Sequence, residues 1–179
     1  MNYSKNIPYY LAAFILFVGI KFVYIKLHVE DLLFLLAPIQ FLTGLFTGST
    51  SFYNPEVGYV FSDLGISITK ECSGFQFWML TFLIFSCVSI NHVSKGFRKS
   101  AVIFAALLVS YVLTLVANTS RIIISIFSKS MFITLGFDEI VAHEVLGTVI
   151  HLIFLVSFYL LAHYLLTKNN FKNEELTQS

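Results

Sequence analysis

Long uncharged apolar runs, separated by short polar stretches, are the dominant pattern of this chain. Residues 32–47, 72–91, 100–118 and 145–167 contain no Asp, Glu, Lys or Arg, and residues 8–26 contain only Lys21 and Lys26. A helix needs roughly 20 mostly apolar residues to cross about 30 Å of hydrocarbon, so each run predicts a spanning helix. The two lysines of the first run lie toward one end, where long aliphatic stems let an ammonium reach water. The second run is short and holds Pro38, which predicts a bent or tilted helix. A further stretch, 122–136, is apolar but interrupted by Lys129. At 1.5 Å per residue it extends only about 22 Å, so an interfacial or re-entrant segment is expected there.

Two connections carry information. Residues 48–70 contain Asn54-Pro55, then Gly58-Tyr59-Val60-Phe61, Ser62-Asp63-Leu64-Gly65 and Ile66-Ser67-Ile68-Thr69. Short, partly β-branched runs on either side of a glycine-containing turn fit a small β-hairpin lying on the membrane face, with an irregular loop as the competing reading. The connection 92–99 holds Lys95, Arg98 and Lys99, which the positive-inside rule assigns to the cytoplasm. The third helix then begins outside at Cys72, the fourth ends outside near Asn118 and Arg121, and the fifth begins outside near His143. Its tail, 168–179, is cytoplasmic, and the chain starts outside with a first helix retained rather than cleaved as a signal.

The expected fold is therefore all-α: a polytopic transmembrane bundle of about five to six helices with a hairpin-like extracytoplasmic loop. One membrane-embedded domain, 1–167, is followed by a polar tail, 168–179. Composition agrees. Of 179 residues 57% are hydrophobic and 12% charged, about half the charge density of a soluble domain, so most of the surface faces lipid. A net charge of +1 gives no footprint for nucleic acid. Cys72 and Cys87 make no disulfide framework. On one helix they stand roughly 22 Å apart along the axis, far beyond the reach of a bridge.

Three polar groups fall at predicted helix ends on one face: Glu71-Cys72-Ser73-Gly74, Asn118-Thr119-Ser120-Arg121, and His143-Glu144-Val145-Leu146-Gly147. Ionisable groups in membrane helices are costly and point to function. Cys72 is the candidate nucleophile, because a thiolate is favoured at a helix N-terminus or beside a cation; the competing reading is a small buried apolar residue. His143 is the candidate general base, against a histidine that merely caps its helix. Arg121 always carries charge and pairs with a carboxylate, a phosphate or a developing oxyanion, lipid headgroups being its plainest partner. Asn118 precedes Arg121 by three residues and shares its helix face; Gly147 and His151 follow His143 by four and eight. Glu71, Asn118, Gly147 and His151 are assigned supporting roles. Asp138 and Glu139 are weaker candidates to orient His143. Trp78, Phe75 and Phe77 are expected to pack. His28, His92 and His163 fall at the cytoplasmic side, away from Cys72. No spacing fits a metal site, and no cofactor is implied.

Taken together and in order, Glu71-Cys72-Ser73-Gly74, Asn118-x-x-Arg121-Ile122 and His143-x-x-x-Gly147 resemble the exosortase/archaeosortase family. The resemblance covers roughly residues 54–167, and the Cys-Ser-Gly-Phe-x-Phe-Trp run looks most like the small exosortase K type. It implies a cysteine protease or transpeptidase in the cytoplasmic membrane of a bacterium, with its active site on the extracytoplasmic face. Such an enzyme takes exported proteins whose C-terminal sorting signal includes a transmembrane helix, cuts that signal and transfers the new carboxyl end to a cell-surface acceptor. The family's catalytic Cys, Arg and His match Cys72, Arg121 and His143. Rival classes are a non-catalytic membrane scaffold, a bis-His haem carrier and a transporter. The haem carrier lacks a facing histidine at matching depth. The transporter calls for a polar stripe through the bilayer, where this sequence clusters its polar groups at one face.

Overall fold

The computed structural model describes residues 3–91, 93, 96–134 and 139–178, backbone alone at 3–5, 96–97, 129–133, 139–143, 166 and 168–178. Its helices are α1 (Tyr3–Lys26), α2 (Leu33–Thr47), α3 (Phe75–Asn91), α4 (Gly96–Thr134) and α5 (Glu139–Gln178). Single 3-10 turns, Glu30–Leu32 and Glu71–Ser73, precede α2 and α3. Among the described residues, five segments are long and apolar enough to cross a membrane: Asn6–Lys26, Glu30–Thr47, Glu71–Asn91, Arg98–Ser128 and Glu144–Leu165. Their outer faces are unusual for a protein surrounded by water. Phe104 and Leu108 on α4 and Phe41 and Leu45 on α2 each leave about two thirds of their surface uncovered. Contiguous apolar surface of that kind marks contact with lipid or a partner, and it is compatible with a multi-pass membrane protein.

Boundaries of α3, α4 and α5 differ from the sequence expectation. The fourth helix does not end at Asn118. It runs unbroken to Thr134 and absorbs most of the stretch expected to be interfacial or re-entrant. Residues 122–134 contain no proline or glycine to interrupt it, and Ser125, Ser128 and Ser130 are tolerated inside a helix. The last helix begins at Glu139, so His143 lies inside it rather than opening it, and it continues through the polar segment to Gln178. The third helix starts at Phe75, which leaves Cys72 in a separate 3-10 turn.

The chain divides into two compact units. The first comprises Met1–Tyr24, Trp78–Val112 and Leu155–Ser179. Ala13, Met79, Phe82, Ile90 and Ala106 are buried in it. The Trp78 indole N–H donates to the Leu107 carbonyl at 3.1 Å and meets Tyr111 edge-on, so this tryptophan packs, as expected. The same unit holds a buried cation. Lys99 donates to Asn6 Oδ1 and lies over the Tyr9 ring, while Asn6 and Tyr10 both donate to Asn91 Oδ1.

The second unit comprises Ile25–Phe77 and Leu113–Phe154. Between α2 and α3 the chain forms a three-stranded antiparallel meander, β1 (Phe52–Asn54), β2 (Gly58–Phe61) and β3 (Ile66–Ile68), in the order β1-β2-β3. The hairpin expected from sequence is present with one strand more. Asn54-Pro55-Glu56-Val57 closes the first turn: Val57 N–H donates to the Asn54 carbonyl and Glu56 N–H to the Asn54 side chain, the arrangement that Asn at the first position and Pro at the second favour. Gly58 is required at its position. It has a φ of +115°, and a Cβ there would stand 2.2 Å from the Ile68 carbonyl oxygen. Phe61 and Ile68 turn inward and are fully buried, as are Leu32, Leu35, Leu36 and Ile39 of the same unit.

Candidate functional site

The β3 strand leads directly to Cys72. After Ile68 the chain tightens into the 3-10 turn, with Cys72 N–H donating to the Thr69 carbonyl and Ser73 N–H to the Lys70 carbonyl, both at 3.1 Å. Thr69 donates its hydroxyl to the exposed Glu71 carboxylate at 2.7 Å. Lys70 reaches the Leu27 carbonyl, so the end of α1 next to His28, expected on the face opposite Cys72, lies beside the strap that carries Cys72. Asn6 and Tyr10 at the start of α1 meet Asn91; the first helix runs opposite to the expected direction. Gly74, at a φ of +74°, then reverses the chain into α3.

A second element meets this strap side on. Asn118 of α4 is fully buried, and its side-chain amide donates to the Cys72 carbonyl at 2.6 Å. One turn further along, Arg121 Nη2 lies 3.5 Å from Cys72 Sγ. The fit is close. A Cβ on Gly74 would come within 3.0 Å of both Asn118 Cγ and Thr114 Cγ2. Thr114, Asn118 and Arg121 are spaced four and three apart and so form one stripe of α4. The backbone groups of Asn118 and Arg121 are satisfied inside the helix, which leaves their side chains for the strap.

The third element is α5. Gly147 lies beneath the arginine: a Cβ there would stand 3.2 Å from Arg121 Cδ and 3.4 Å from Nε. Four residues on, the His151 ring stacks on Phe77 with centroids 4.7 Å apart.

Cys72, Asn118, Arg121 and Gly147 are thus brought into direct contact, and His151 lies one helical turn beyond Gly147. Glu71 faces outward to Thr69. The His143 side chain and Asp138 lie outside the described residues, as do the Glu139 side chain and His92. Cys72 and Cys87 are both free thiols. Among the described residues no cluster of His, Cys, Asp and Glu fits a metal ion. Sequence reasoning missed Thr114, although its spacing before Asn118 was available, and it gave Phe77 no role beyond packing.

The chemistry open to this arrangement is specific. A guanidinium within hydrogen-bonding reach of a thiol stabilises the thiolate and supplies further N–H donors for a neighbouring oxygen anion. The Cys72 carbonyl is tied down by Asn118, so the nucleophile candidate is held by its backbone as well as its side chain. No protein-family model matches the chain, and no curated protein or solved structure matches it either.

Proposed function

We propose that the protein is a membrane-embedded cysteine peptidase or transpeptidase resembling the exosortases. On this reading it processes exported proteins that carry a C-terminal sorting signal with a transmembrane helix, and it acts at the extracytoplasmic face of a bacterial cytoplasmic membrane. The observation that carries the reading is the Arg121–Cys72 contact, in a chain with five helical segments, among the described residues, long and apolar enough to span a bilayer. The Cys72 thiolate attacks the scissile carbonyl and forms a thioester. Arg121 stabilises the tetrahedral oxyanion, a contribution worth a few kcal/mol in comparable sites. His143 takes the thiol proton and returns it to the leaving amine, and an acceptor amine or water then resolves the thioester. The new carboxyl end passes to a cell-surface acceptor.

The longer α4 changes the expected end of the fourth helix and not the face on which we propose this site lies. Along one helix Arg98 and Arg121 are separated by about 34 Å at 1.5 Å per residue, slightly more than the hydrocarbon thickness of about 30 Å. With Arg98 at the cytoplasmic boundary, Arg121 reaches the opposite interface and residues 122–134 extend α4 past it.

The test is proteomic. In cells carrying Cys72→Ala, exported proteins are expected to accumulate with their C-terminal hydrophobic segments intact, as read by mass spectrometry of membrane-protein C-termini. An unchanged set of processed C-termini refutes the catalytic reading and leaves a membrane scaffold.

A further inference from the structure

Arg121 is held to Cys72 through one nitrogen, and Arg121 Nε, His151 Nε2 and Asn118 Oδ1 are buried with no hydrogen-bond partner among the described residues. Each is costly to leave so. Asn118 precedes Arg121 by three residues on the same face of α4, and its amide nitrogen is committed to the Cys72 carbonyl, which leaves Oδ1 free. His151 follows by four residues the glycine over which the guanidinium lies, and the Arg121 charge acts on its ring. Stacking on Phe77 fixes the plane of that ring.

The three atoms are chemically complementary to one small molecule. The Nε–H of Arg121 can only donate, Asn118 Oδ1 can only accept, and Nε2 of a neutral histidine accepts when the proton sits on Nδ1. One donor and two acceptors match a water molecule, which accepts once and donates twice, and buried waters typically make about three such bonds. We propose that His151 is a positioning residue for Arg121: together with Asn118 it holds a single water against the Nε–H and so aims the guanidinium at Cys72. The proposal rests on Cys72 and Arg121 forming one site. It gives His151 a polar function distinct from the proton transfer assigned to His143.

The experiment uses the purified full-length chain with Cys87→Ser, and follows the rate at which Cys72 reacts with a maleimide. His151→Phe keeps the stack on Phe77 and removes the acceptor; His151→Gln restores an acceptor. With coupling of the size found between residues sharing a network, His151→Phe is expected to slow the reaction by at least about twofold, with His151→Gln recovering most of the rate. In an Arg121→Gln background the Phe substitution is expected to have no further effect. An unchanged rate, or equal slowing with and without Arg121, overturns the positioning role. Nitrogen-15 NMR of histidine-labelled protein tests the same point without a substitution at His151. The expected tautomer carries its proton on Nδ1; a proton on Nε2 overturns the proposal. Neither readout needs a substrate. A failure here with processing still dependent on Cys72 therefore rejects the role of His151 alone, and unchanged processing in Cys72→Ala rejects the catalytic reading alone.

Discussion

Replacing Gly74 by alanine tests the packing that surrounds Cys72, and the structure supplies its own control. Gly74 and Gly65 have similar positive φ, +74° and +63°. Forcing an L residue into that region costs about 1–2 kcal/mol, partly offset by about 0.4–1 kcal/mol from the stiffer unfolded chain. At Gly65 nothing lies within 4 Å of an added Cβ, so Gly65→Ala is expected to cost only that difference, about 1 kcal/mol. At Gly74 the same methyl stands 3.0 Å from Asn118 Cγ and Thr114 Cγ2 and 3.2 Å from Asn118 Cβ, atoms close to the α4 backbone that cannot swing away. Overpacking of this kind adds about 1–3 kcal/mol, and displacing the Asn118 amide from the Cys72 carbonyl adds about 1 kcal/mol more. Gly74→Ala should therefore be less stable than Gly65→Ala by about 2–4 kcal/mol, measured by denaturant unfolding of the two variants in the same detergent. Both glycines belong to the same compact unit, so one unfolding transition reports both. Thr114→Ser removes the methyl carbon of one of the two contacts, and in the Gly74→Ala background it should recover part of the loss although it is destabilising by itself. Equal stability of the two alanine variants, or no recovery by Thr114→Ser, refutes the close approach of α4 to the strap.

Three further outcomes follow from the same geometry. Gly147→Ala places a methyl 3.2 Å from Arg121 Cδ; it should cost about 1–3 kcal/mol in unfolding and slow maleimide labelling of Cys72, whereas a labelling rate equal to wild type counts against the contact. Gly58→Ala puts a carbon 2.2 Å from the Ile68 carbonyl oxygen at a φ of +115°, so the meander should not close; expected results are poor accumulation and cleavage of residues 52–68 by added protease, with full protection as the refuting result. Lys99 is buried with Asn6 as its polar partner, so Lys99→Met, of similar length, should leave stability unchanged or raise it, while Asn6→Ala, which strips the partner from a buried cation, should cost about 1–3 kcal/mol. The reverse order in thermal unfolding counts against the Asn6–Lys99 contact as a stabilising one.

The five long helices were legible because their signal is redundant: some twenty consecutive apolar positions survive an error of several residues at either end. Boundaries had no such redundancy. The end assigned to the fourth helix at Asn118 rested on polarity, since Asn118-Thr119-Ser120-Arg121 looks like a helix terminus. Polarity and termination separate here because these side chains find partners laterally: Asn118 in the Cys72 carbonyl, Arg121 in the Cys72 sulfur. Cys72 was likewise assigned to the first turn of a helix, yet the left-handed Gly74 stands between it and α3. A Cys-Ser-Gly triplet ahead of an apolar run contains that turn, but only the αL requirement of glycine discloses it.

The same misreadings left the grouping of Cys72, Asn118 and Arg121 intact. Cys72 and the pair Asn118 and Arg121 were singled out because polar residues in apolar surroundings need partners, and that need does not depend on whether they sit at a helix end or within one. Placing them mid-helix changes what holds Arg121. At a terminus, free backbone carbonyls and water would share the guanidinium; inside α4 the backbone is satisfied, and only side chains and the Cys72 strap remain. Gly147 then matters as the surface on which the arginine lies, since a side chain at that position of α5 would occupy the space of its Cδ and Nε. The strap, through Cys72, and the Gly147 face of α5 thus restrain Arg121 from two sides, and on the proposed reading a charge restrained in that way keeps its aim at the sulfur.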